Sequence, residues 1–439
     1  MKRPEQKRVI RIGLIGVGTV GTGTAKVFLE HQQEIERRLG CRLELKTLCA
    51  RTIYTKDLSW LKPPVEITTD WKEVVADPEI DIVIEMVGEK ATALSIGRAA
   101  LGAGKHLVTA NKQVVAEHGM ELAVLSRSAR VNLGIEACVA GGTPILHAIR
   151  EGLSGERFAA VYGILNGTTN FILTEMERRN SSFAEALVEA QRQGFAEPDP
   201  TFDVEGFDAR YKIAILSMIC FGQVIAVKEI PAEGIRAIEP VDFAYAHRLD
   251  HTIRLIAGAR RSTGGRLEIS VRPMMIPRSA SLAAVTGSTN GILLVGDKGG
   301  HTLITGRGAG GEPTGVAVVS DVVQTARAIL SGGARESLGY TEWHRGKVLP
   351  SGQRTSAAYL RLVVKDRPGI LAKVCSILAR HGINIDSVMQ EPAHSKKALP
   401  FVMTLEPTEE KNLRQAVSQI ARLPFFACPP LLMPFAEGF

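Results

Sequence analysis

The stretch RVIRIGLIGVGTVGTG at residues 8–23 decides the fold of the N-terminal part of this 439-residue chain. Its first eight residues are mostly apolar and predict a buried strand, and a glycine turn then leads into a helical pattern. In a G-x-G-x-x-G sequence the glycines allow a tight turn and bring backbone N–H groups close to a pyrophosphate. We therefore expect a dinucleotide to bind at Gly16, Val17, Gly18, Thr19, Val20 and Gly21. The alternative interpretation is a tight turn that binds no ligand.

The second predicted strand, at residues 42–49, indicates which dinucleotide binds. An acid at the end of this strand would bind the ribose 2′-hydroxyl of NAD. Here the nearest acid is Asp57, and Arg51 stands close to the strand end instead. Because an arginine can pair with a 2′-phosphate, the sequence favours NADP(H), with NAD(H) as the alternative cofactor. The other interpretation of Arg51 is a solvated side chain.

The alternation of strands and helices predicts the domain organisation. Strands at 81–87, 106–110 and 130–137 alternate with helices at 91–101 and 113–127, as in a parallel doubly wound sheet of the Rossmann type. A second pattern, with helices first and strands later, indicates an α+β unit. The predicted domains are a dinucleotide-binding domain at 1–142 plus 306–331, an α+β catalytic domain at 143–305, a linker at 332–355 and a small βαβ-type domain at 356–439.

Composition and charge exclude several classes of protein. The net charge of +7 comes without a block of five like charges or interleaved aromatic residues, which argues against nucleic-acid binding. The longest apolar stretch, Ile213 to Val227, has 15 residues and is too short to span a bilayer, so we expect no membrane partner. Six widely spaced cysteines predict a reduced, cytoplasmic protein.

Three further positions carry residues suited to chemistry. Lys112 follows a predicted parallel strand, at the edge where α/β sheets place ligands. Asp208 and Lys212 stand four residues apart in an apolar helix and so share one face, where they can move a proton or form an ordinary ion pair. Cys138 is a small core residue or a thiol nucleophile, and we favour the core.

Taken together, these stretches resemble homoserine dehydrogenase. The resemblance rests on motifs in the family's order, IGLIGVGTVGTG at 12–23, TANK at 109–112, EACVAGGTP at 136–144, GILNGTTNFILT at 163–174, GFAEPDPTFDVEGFDARYK at 194–212 and GRGAGGEPT at 306–314. The segment VKDRPGILA at 364–372, with GINI at 382–385, looks like an ACT domain, which implies a ferredoxin-like fold. The resemblance implies reversible, NAD(P)H-dependent reduction of L-aspartate 4-semialdehyde to L-homoserine in threonine, methionine and isoleucine biosynthesis.

The resemblance also implies roles for individual residues. Lys212 would donate a proton to the aldehyde oxygen, with Asp208 in the proton path, and Glu197 would bind the substrate amino group. Asp203, Phe195, Gly167 and Thr168 would line the pocket, and Lys112 would contact both substrate and nicotinamide. Gly88 and Gly310 match cofactor-contact positions. A sodium-type cation site, built mostly from carbonyl oxygens, would involve Glu136, Val139, Gly141 and Thr143.

The C-terminal domain implies regulation and assembly. A single small ACT sheet is marginal by itself, so we expect it to pair with a second copy in a homodimer or homotetramer that also forms through the catalytic domain. Asp366 and Gly369 match the ligand loop of such modules, and Asn384 begins the strand that faces this loop. L-threonine is the expected effector, with methionine or no effector at all as the alternatives. Three rivals stay open at this point: an acylating aldehyde dehydrogenase that uses Cys138, a non-catalytic dinucleotide sensor, and a nucleic-acid binder.

Overall fold

The computed structural model describes residues 8–61, 64–333, 338–391 and 395–438. The first residues of the predicted N-terminal domain and part of the predicted linker 332–355 lie outside these ranges. The chain divides into two compact units. The first unit is Met1–Phe158, Tyr211–Val227 and Ile304–Arg345, and the second is Ala159–Arg210, Lys228–Leu303 and Gly346–Phe439.

A parallel sheet of six strands organises the first unit. The strands are β1 (Val9–Ile15), β2 (Arg42–Cys49), β3 (Glu66–Thr68), β4 (Ile82–Glu85), β5 (His106–Thr109) and β6 (Leu133–Gly134). The helices between them are α1 (Thr19–Leu39), α2 (Trp71–Ala76), α3 (Lys90–Gly102) and α4 (Lys112–Ala129). The strand order β3-β2-β1-β4-β5-β6 confirms the doubly wound sheet. It reverses between β1 and β4, where sheets of this kind bind ligands at their carboxyl ends.

The last strand of this sheet is much shorter than the sequence predicts. The expected strand at 130–137 pairs with β5 only at Leu133–Gly134, and a single 3-10 turn follows at Glu136–Cys138. A Cβ on Gly134 would lie 2.7 Å from the Cβ of Asp321, and the Glu136 N–H donates to the Asp321 carboxylate at 2.8 Å. The prediction was wrong here because this backbone N–H bonds to a side chain 185 residues away and not to a neighbouring strand.

The middle of the chain is α+β, as predicted. Its helices are α5 (Ile145–His147), α6 (Gly167–Arg179), α7 (Phe183–Arg192), α8 (Thr201–Val204), α9 (Phe207–Phe221) and α10 (Pro240–Arg248). Its strands are β7 (Phe158–Ile164), β8 (Gln223–Val224), β9 (His251–Arg261), β10 (Leu267–Pro277), β11 (Thr289–Gly296) and β12 (Gly300–Arg307). Five of these strands form a sheet in the order β10-β9-β7-β11-β12. The helices thus come first and most of the strands later, as the second sequence pattern indicates.

The C-terminal part forms a third sheet. After α11 (Gly311–Ser331) and the two-residue β13 (His344–Arg345) come β14 (Thr355–Val364), α12 (Ile370–Arg380), β15 (Ile385–Gln390), β16 (Leu399–Glu409), α13 (Glu410–Ile420) and β17 (Leu431–Pro434). The βαββαβ succession and the order β15-β16-β14-β17 make it a ferredoxin-like fold. Alternate residues of β14, including Leu360 and Leu362, are buried in a core shared with both helices.

The other face of β14 is bonded to the rest of the second unit. Tyr359 and Arg361 each donate a hydrogen bond of 2.7 Å to the carboxylate of Asp242 on α10. Asp242 is fully buried, and its burial raises its pKa to about 6 even though Arg361 acts in the opposite direction. Removing one partner of such a buried pair leaves the other charge uncompensated. This sheet face is thus an integral contact of the second unit.

Candidate active site

The backbone conformation of the glycine turn after β1 depends on the absence of side chains. Gly16 has φ +102°, and a Cβ on Gly21 would lie 1.8 Å from the Gly16 carbonyl oxygen. A Cβ on Gly23 would lie 2.3 Å from the Gly311 backbone, which lets α1 and α11 approach closely. Gly18 precedes the first residue of α1 and provides no side-chain cap, so backbone groups alone face a ligand at this helix end.

An open cleft of about 1130 Å³ lies at this turn. Thr19 and Gly18 line it from the turn, and Gly311 lines it from the start of α11. Gly310, predicted as a cofactor contact, has φ +118° and stands immediately before α11. Two lysines that the sequence analysis did not single out, Lys26 and Lys56, also line the cleft. Glycine backbone, a helix N-terminus and two ammonium groups suit the phosphates of a dinucleotide.

Arg51 lies on the surface just beyond the end of β2, as predicted. Its charge contributes to a lowered pKa of Glu89, although hydrogen bonds from Thr92 and Ala91 are the larger causes. Glu89 caps α3 through the N–H groups of these two residues. Gly88, immediately before it, has open space where a Cβ would stand, so an added side chain would fill that space.

Glu85, at the end of β4, is a buried acid that the sequence analysis missed. Its carboxylate accepts the Thr109 hydroxyl at 2.6 Å and the Val87 N–H at 2.5 Å. Burial raises its pKa to about 7. The Asn111 side chain closes the network by donating to the Val87 carbonyl at 3.0 Å. Because Asn111 also caps α4, this network fixes the position of Lys112, the first residue of that helix. An acid inside the apolar run DIVIEMV was the available signal.

In the second unit, several predicted substrate residues meet at the start of α6. The Asn166 amide, which the sequence analysis did not name, donates to Asp203 at 2.8 Å and to Asp208 at 2.9 Å. The Thr168 hydroxyl lies 2.6 Å from the Phe195 carbonyl and 3.1 Å from Asp203. Gly167 has no room for a side chain, because a Cβ would lie 2.8 Å from the Ser288 carbonyl oxygen. We call Asn166, Thr168, Asp203 and Asp208 the acidic cluster.

Glu197 and Phe195 lie on the loop before α8. Phe195 packs against Phe171 with ring centroids 4.8 Å apart, although its side chain is 38% exposed. Glu197 is exposed, and its carbonyl accepts a hydrogen bond from Gln191. No hydrogen bond or ion pair joins its carboxylate to the acidic cluster within the described part of the chain. The structure therefore brings Phe195 into contact with the cluster and leaves the Glu197 side chain outside it.

Helix α9 carries both residues of the predicted proton path. Asp208 is 4% and Lys212 8% exposed, so both are buried. Their spacing places them one helical turn apart on the same face. Buried charged groups require partners, and the Asn166 amide supplies one for Asp208. This burial argues against an ordinary surface ion pair and is compatible with the predicted proton path.

The predicted cation loop is buried and strained. Ala140 has φ +55° and Gly141 φ +45°, two consecutive left-handed residues that turn successive carbonyls. The Glu136 carboxylate accepts the N–H groups of Leu146 and His147, and burial raises its pKa to about 7. The Thr143 hydroxyl is buried without a hydrogen-bond partner in the described chain. No group of three or more His, Cys, Asp or Glu side chains suited to a metal occurs there either.

Cys138 is a core residue. It is 2% exposed, and its thiol lies 3.4 Å from the Thr109 carbonyl oxygen. Burial raises the pKa of the thiol well above its ordinary value, which disfavours the thiolate that a nucleophile needs. A buried thiol of this kind does not suit the acylating mechanism.

The predicted regulatory loop is formed in the second unit. Gly369 has φ +87° at the start of α12, and the Asp366 N–H donates to the Lys396 carbonyl. Asn384 donates to Glu406 at 3.1 Å, in front of β15.

Within the described residues, no helix is long and apolar enough to cross a lipid bilayer.

Comparison with known proteins agrees with these features. Residues 144–323 match the model of the family described as homoserine dehydrogenase, residues 16–136 that of its NAD-binding domain, and residues 358–425 that of the ACT domain. A homoserine dehydrogenase of Pseudomonas aeruginosa is 39% identical over 94% of this chain and 96% of its own.

Solved structures extend the comparison. A homoserine dehydrogenase from Thiobacillus denitrificans has a TM-score of 0.90 and 38% identity, covering 98% of this chain and 99% of its own. A hyperthermophilic archaeal homoserine dehydrogenase in complex with NADPH has a TM-score of 0.62 and 26% identity, covering 72% of this chain and 98% of its own. The chain therefore belongs to the homoserine dehydrogenase family and is an NAD(P)-dependent oxidoreductase that acts on a CH–OH group.

Proposed function

We propose that Lys212 protonates the aldehyde oxygen in the reduction of L-aspartate 4-semialdehyde to L-homoserine, and that Asp208 completes the proton path. The bound nicotinamide supplies the hydride. Hydride addition creates an alkoxide, which an adjacent ammonium group stabilises and protonates. The acidic cluster supports this proposal, because the Asn166 amide holds Asp208 one helical turn from Lys212. Steady-state oxidation of L-homoserine, followed at 340 nm, tests the activity.

Glu197 and Lys112 complete the proposed substrate site. A zwitterionic substrate needs an acid for its amino group, and the exposed Glu197 carboxylate has no competing partner within the described cluster. Lys112 would contact the substrate and the nicotinamide from the start of α4. We expect Glu197→Gln to raise KM for homoserine while leaving KM for the cofactor unchanged.

We propose NADP(H) as the preferred cofactor, with NAD(H) as a weaker alternative. Arg51 supports this choice, and so does the archaeal relative that was solved with NADPH. Lys26 and Lys56 add positive charge at the cleft beside the glycine turn. The ratio of kcat/KM for the two cofactors measures the preference directly.

We also propose a monovalent cation, such as Na⁺, at the loop of Glu136, Val139, Gly141 and Thr143. Main-chain oxygens of the loop would bind the ion, because the Glu136 carboxylate is already bonded to two N–H groups. The Thr143 hydroxyl, which lacks a hydrogen-bond partner in the described chain, also supports a ligand at this loop. The ion would act by holding the loop. Thermal unfolding in Na⁺, K⁺ and tetramethylammonium chlorides at equal ionic strength tests this, and a higher midpoint in one metal salt is expected.

For regulation, we propose L-threonine as an effector at Asp366, Gly369 and Asn384, in a homodimer or homotetramer. The ACT match and the formed loop support this proposal. Deleting the domain is a poor test, since it would leave Asp242 buried without Tyr359 and Arg361. Gly369→Val in the full chain should instead abolish inhibition by millimolar threonine and keep basal turnover.

We also propose the domain bounds and the cellular compartment that the sequence predicts. The dinucleotide-binding domain would be 1–142 plus 306–331, the catalytic domain 143–305, the linker 332–355 and the ACT domain 356–439. Limited proteolysis should cleave first within the linker. The wide spacing of the six cysteines along the sequence supports a reducing, cytoplasmic environment.

A further inference from the structure

A polar pocket lies within the second unit, away from the acidic cluster. It encloses, together with its mouth, about 510 Å³ of empty space beside the outer face of β9 and β10. Residues 268, 270 and 272 alternate along β10, so their side chains share that face. The polar side chains that line the pocket are Arg260, Glu268, Ser270, Arg272, Ser356 and Glu437.

The two ends of the ACT domain close this pocket. Phe435, just after β17, donates its N–H to the Ala357 carbonyl of β14. The next residue, Ala436, donates to the Met275 carbonyl of β10 at 2.8 Å. The segment after β17 is thus bonded to both sheets, and it carries Glu437 into the pocket wall. A ligand in this pocket would contact both sheets at once.

One end of the pocket carries excess positive charge. Arg272 is 6% exposed and donates to Glu410 at 3.3 Å, while its Nε–H has no acceptor in the described chain. Arg354 is 2% exposed, and its pKa is lowered by burial and by the nearby Arg272. Glu410 is also shared with Arg414. Because buried guanidinium groups require anions, this end is suited to a carboxylate.

The opposite end carries excess negative charge. Glu268 pairs with Arg260 at 2.8 Å, and Glu437 lies close enough to Arg260 to act on its pKa. Two carboxylates therefore surround one guanidinium group. Glu268 and Arg272 are four strand residues apart, about 13 Å along β10, and Ser270 stands between them on the same face. The pocket thus has separated negative and positive ends.

We propose that this pocket binds a small α-amino acid, with its carboxylate toward Arg272 and its ammonium group toward Glu268 and Glu437. Ser270 and Ser356 offer hydroxyl groups for the polar atoms between these ends. A simple anion would leave the negative end of the pocket without a positively charged partner. An amine would leave the positive end without a negatively charged partner. The site is distinct from the ACT loop, whose residues do not line the pocket. The proposal does not depend on the assigned catalytic roles.

Thermal unfolding of the full-length enzyme with each of the twenty L-amino acids at 10 mM tests the proposal, with acetate and 2-aminoethanol as single-charge probes. At least one small amino acid should raise the midpoint by about 2 °C or more, since a ligand that binds only the folded state stabilises it. The rise should persist in Gly369→Val, in which the ACT loop is altered. In that Gly369→Val background, Ser270→Leu, which fills the pocket, should abolish the rise.

A second variant keeps the test decisive if Ser270→Leu fails to fold. Glu437 is exposed near the chain end, so Glu437→Gln should leave folding and basal homoserine turnover unchanged while weakening amino-acid binding about tenfold by calorimetry. Absence of any stabilising amino acid, equal stabilisation by acetate, a rise that survives Ser270→Leu, or unchanged affinity in Glu437→Gln would each overturn the proposal. Turnover without added amino acid is measured in parallel, so that failure of the catalytic assignment is recognised separately.

Discussion

The glycine turn of the first unit and the acidic cluster of the second present opposite kinds of polar group. At the turn, backbone atoms face the cleft, and a side chain at Gly21 is excluded because its Cβ would overlap the Gly16 carbonyl. In the acidic cluster, the polar groups belong to side chains, and the Asn166 amide holds two carboxylates in place. The turn should therefore be sensitive to added volume and the cluster to changed charge. Four predictions test this contrast.

The largest effect is expected in α9, the helix that carries Asp208 of the acidic cluster and Lys212. Lys212→Ala should lower kcat about 10²–10⁴-fold, the usual contribution of a general acid, and leave NADP(H) binding intact. Lys212→Arg should stay slow because a guanidinium group does not release its proton at neutral pH. Lys228→Ala, an exposed lysine, is the control. Near wild-type turnover in Lys212→Ala would disprove the assigned proton donor.

Glu85 extends the contrast to a buried charge beside the turn. Its pKa is raised from 4.5 to about 7 by burial, so between these values the folded state binds a proton that the unfolded state has lost. The free energy of unfolding therefore falls as pH rises from about 4.5 to 7, by ~3 kcal/mol for this group. Glu85→Gln should remove this part of the slope in urea titrations, whereas Glu30→Gln on the surface of α1 should not. An unchanged slope would contradict the assignment.

Substitutions at two glycines of the turn distinguish an effect on folding from an effect on cofactor binding. Gly21→Ala should destabilise the first unit by about 1–3 kcal/mol, because the methyl group meets a fixed backbone oxygen. Gly18→Ala has no atom within 4 Å of the new Cβ and a negative φ, so the fold should tolerate it. It should raise KM for the cofactor instead, since the methyl group faces the cleft. Equal loss of stability in both variants would show that steric overlap is not the deciding factor.

The smallest effect is expected at the exposed Arg51. Arg51→Ala should raise KM for NADP(H) about tenfold, or ~1.4 kcal/mol, and leave KM for NAD(H) unchanged. Arg42→Ala, at the other end of β2, controls for loss of a positive charge. A parallel rise for both cofactors would show that Arg51 does not read the 2′-phosphate.

The sequence predicted most elements because their signals are local. Apolar periodicity placed β1, β2 and α9 within one residue of their observed bounds. The motifs that resemble homoserine dehydrogenase indicated the family, which the comparisons confirm. Short elements such as β3, Glu66–Thr68, were missed because three residues carry no period.

By itself, then, the sequence determined the doubly wound sheet, the glycine turn and the residue types available for proton transfer. Only the tertiary structure decided which buried polar groups meet. The Asn166–Asp208, Glu136–Asp321 and Asp242–Arg361 bonds join residues 42, 185 and 119 positions apart. Local patterns extend over one or two turns of chain, whereas the need of a buried charge for a partner is met wherever the fold brings one. Asn166 therefore became recognisable as part of the acidic cluster only once the chain was folded.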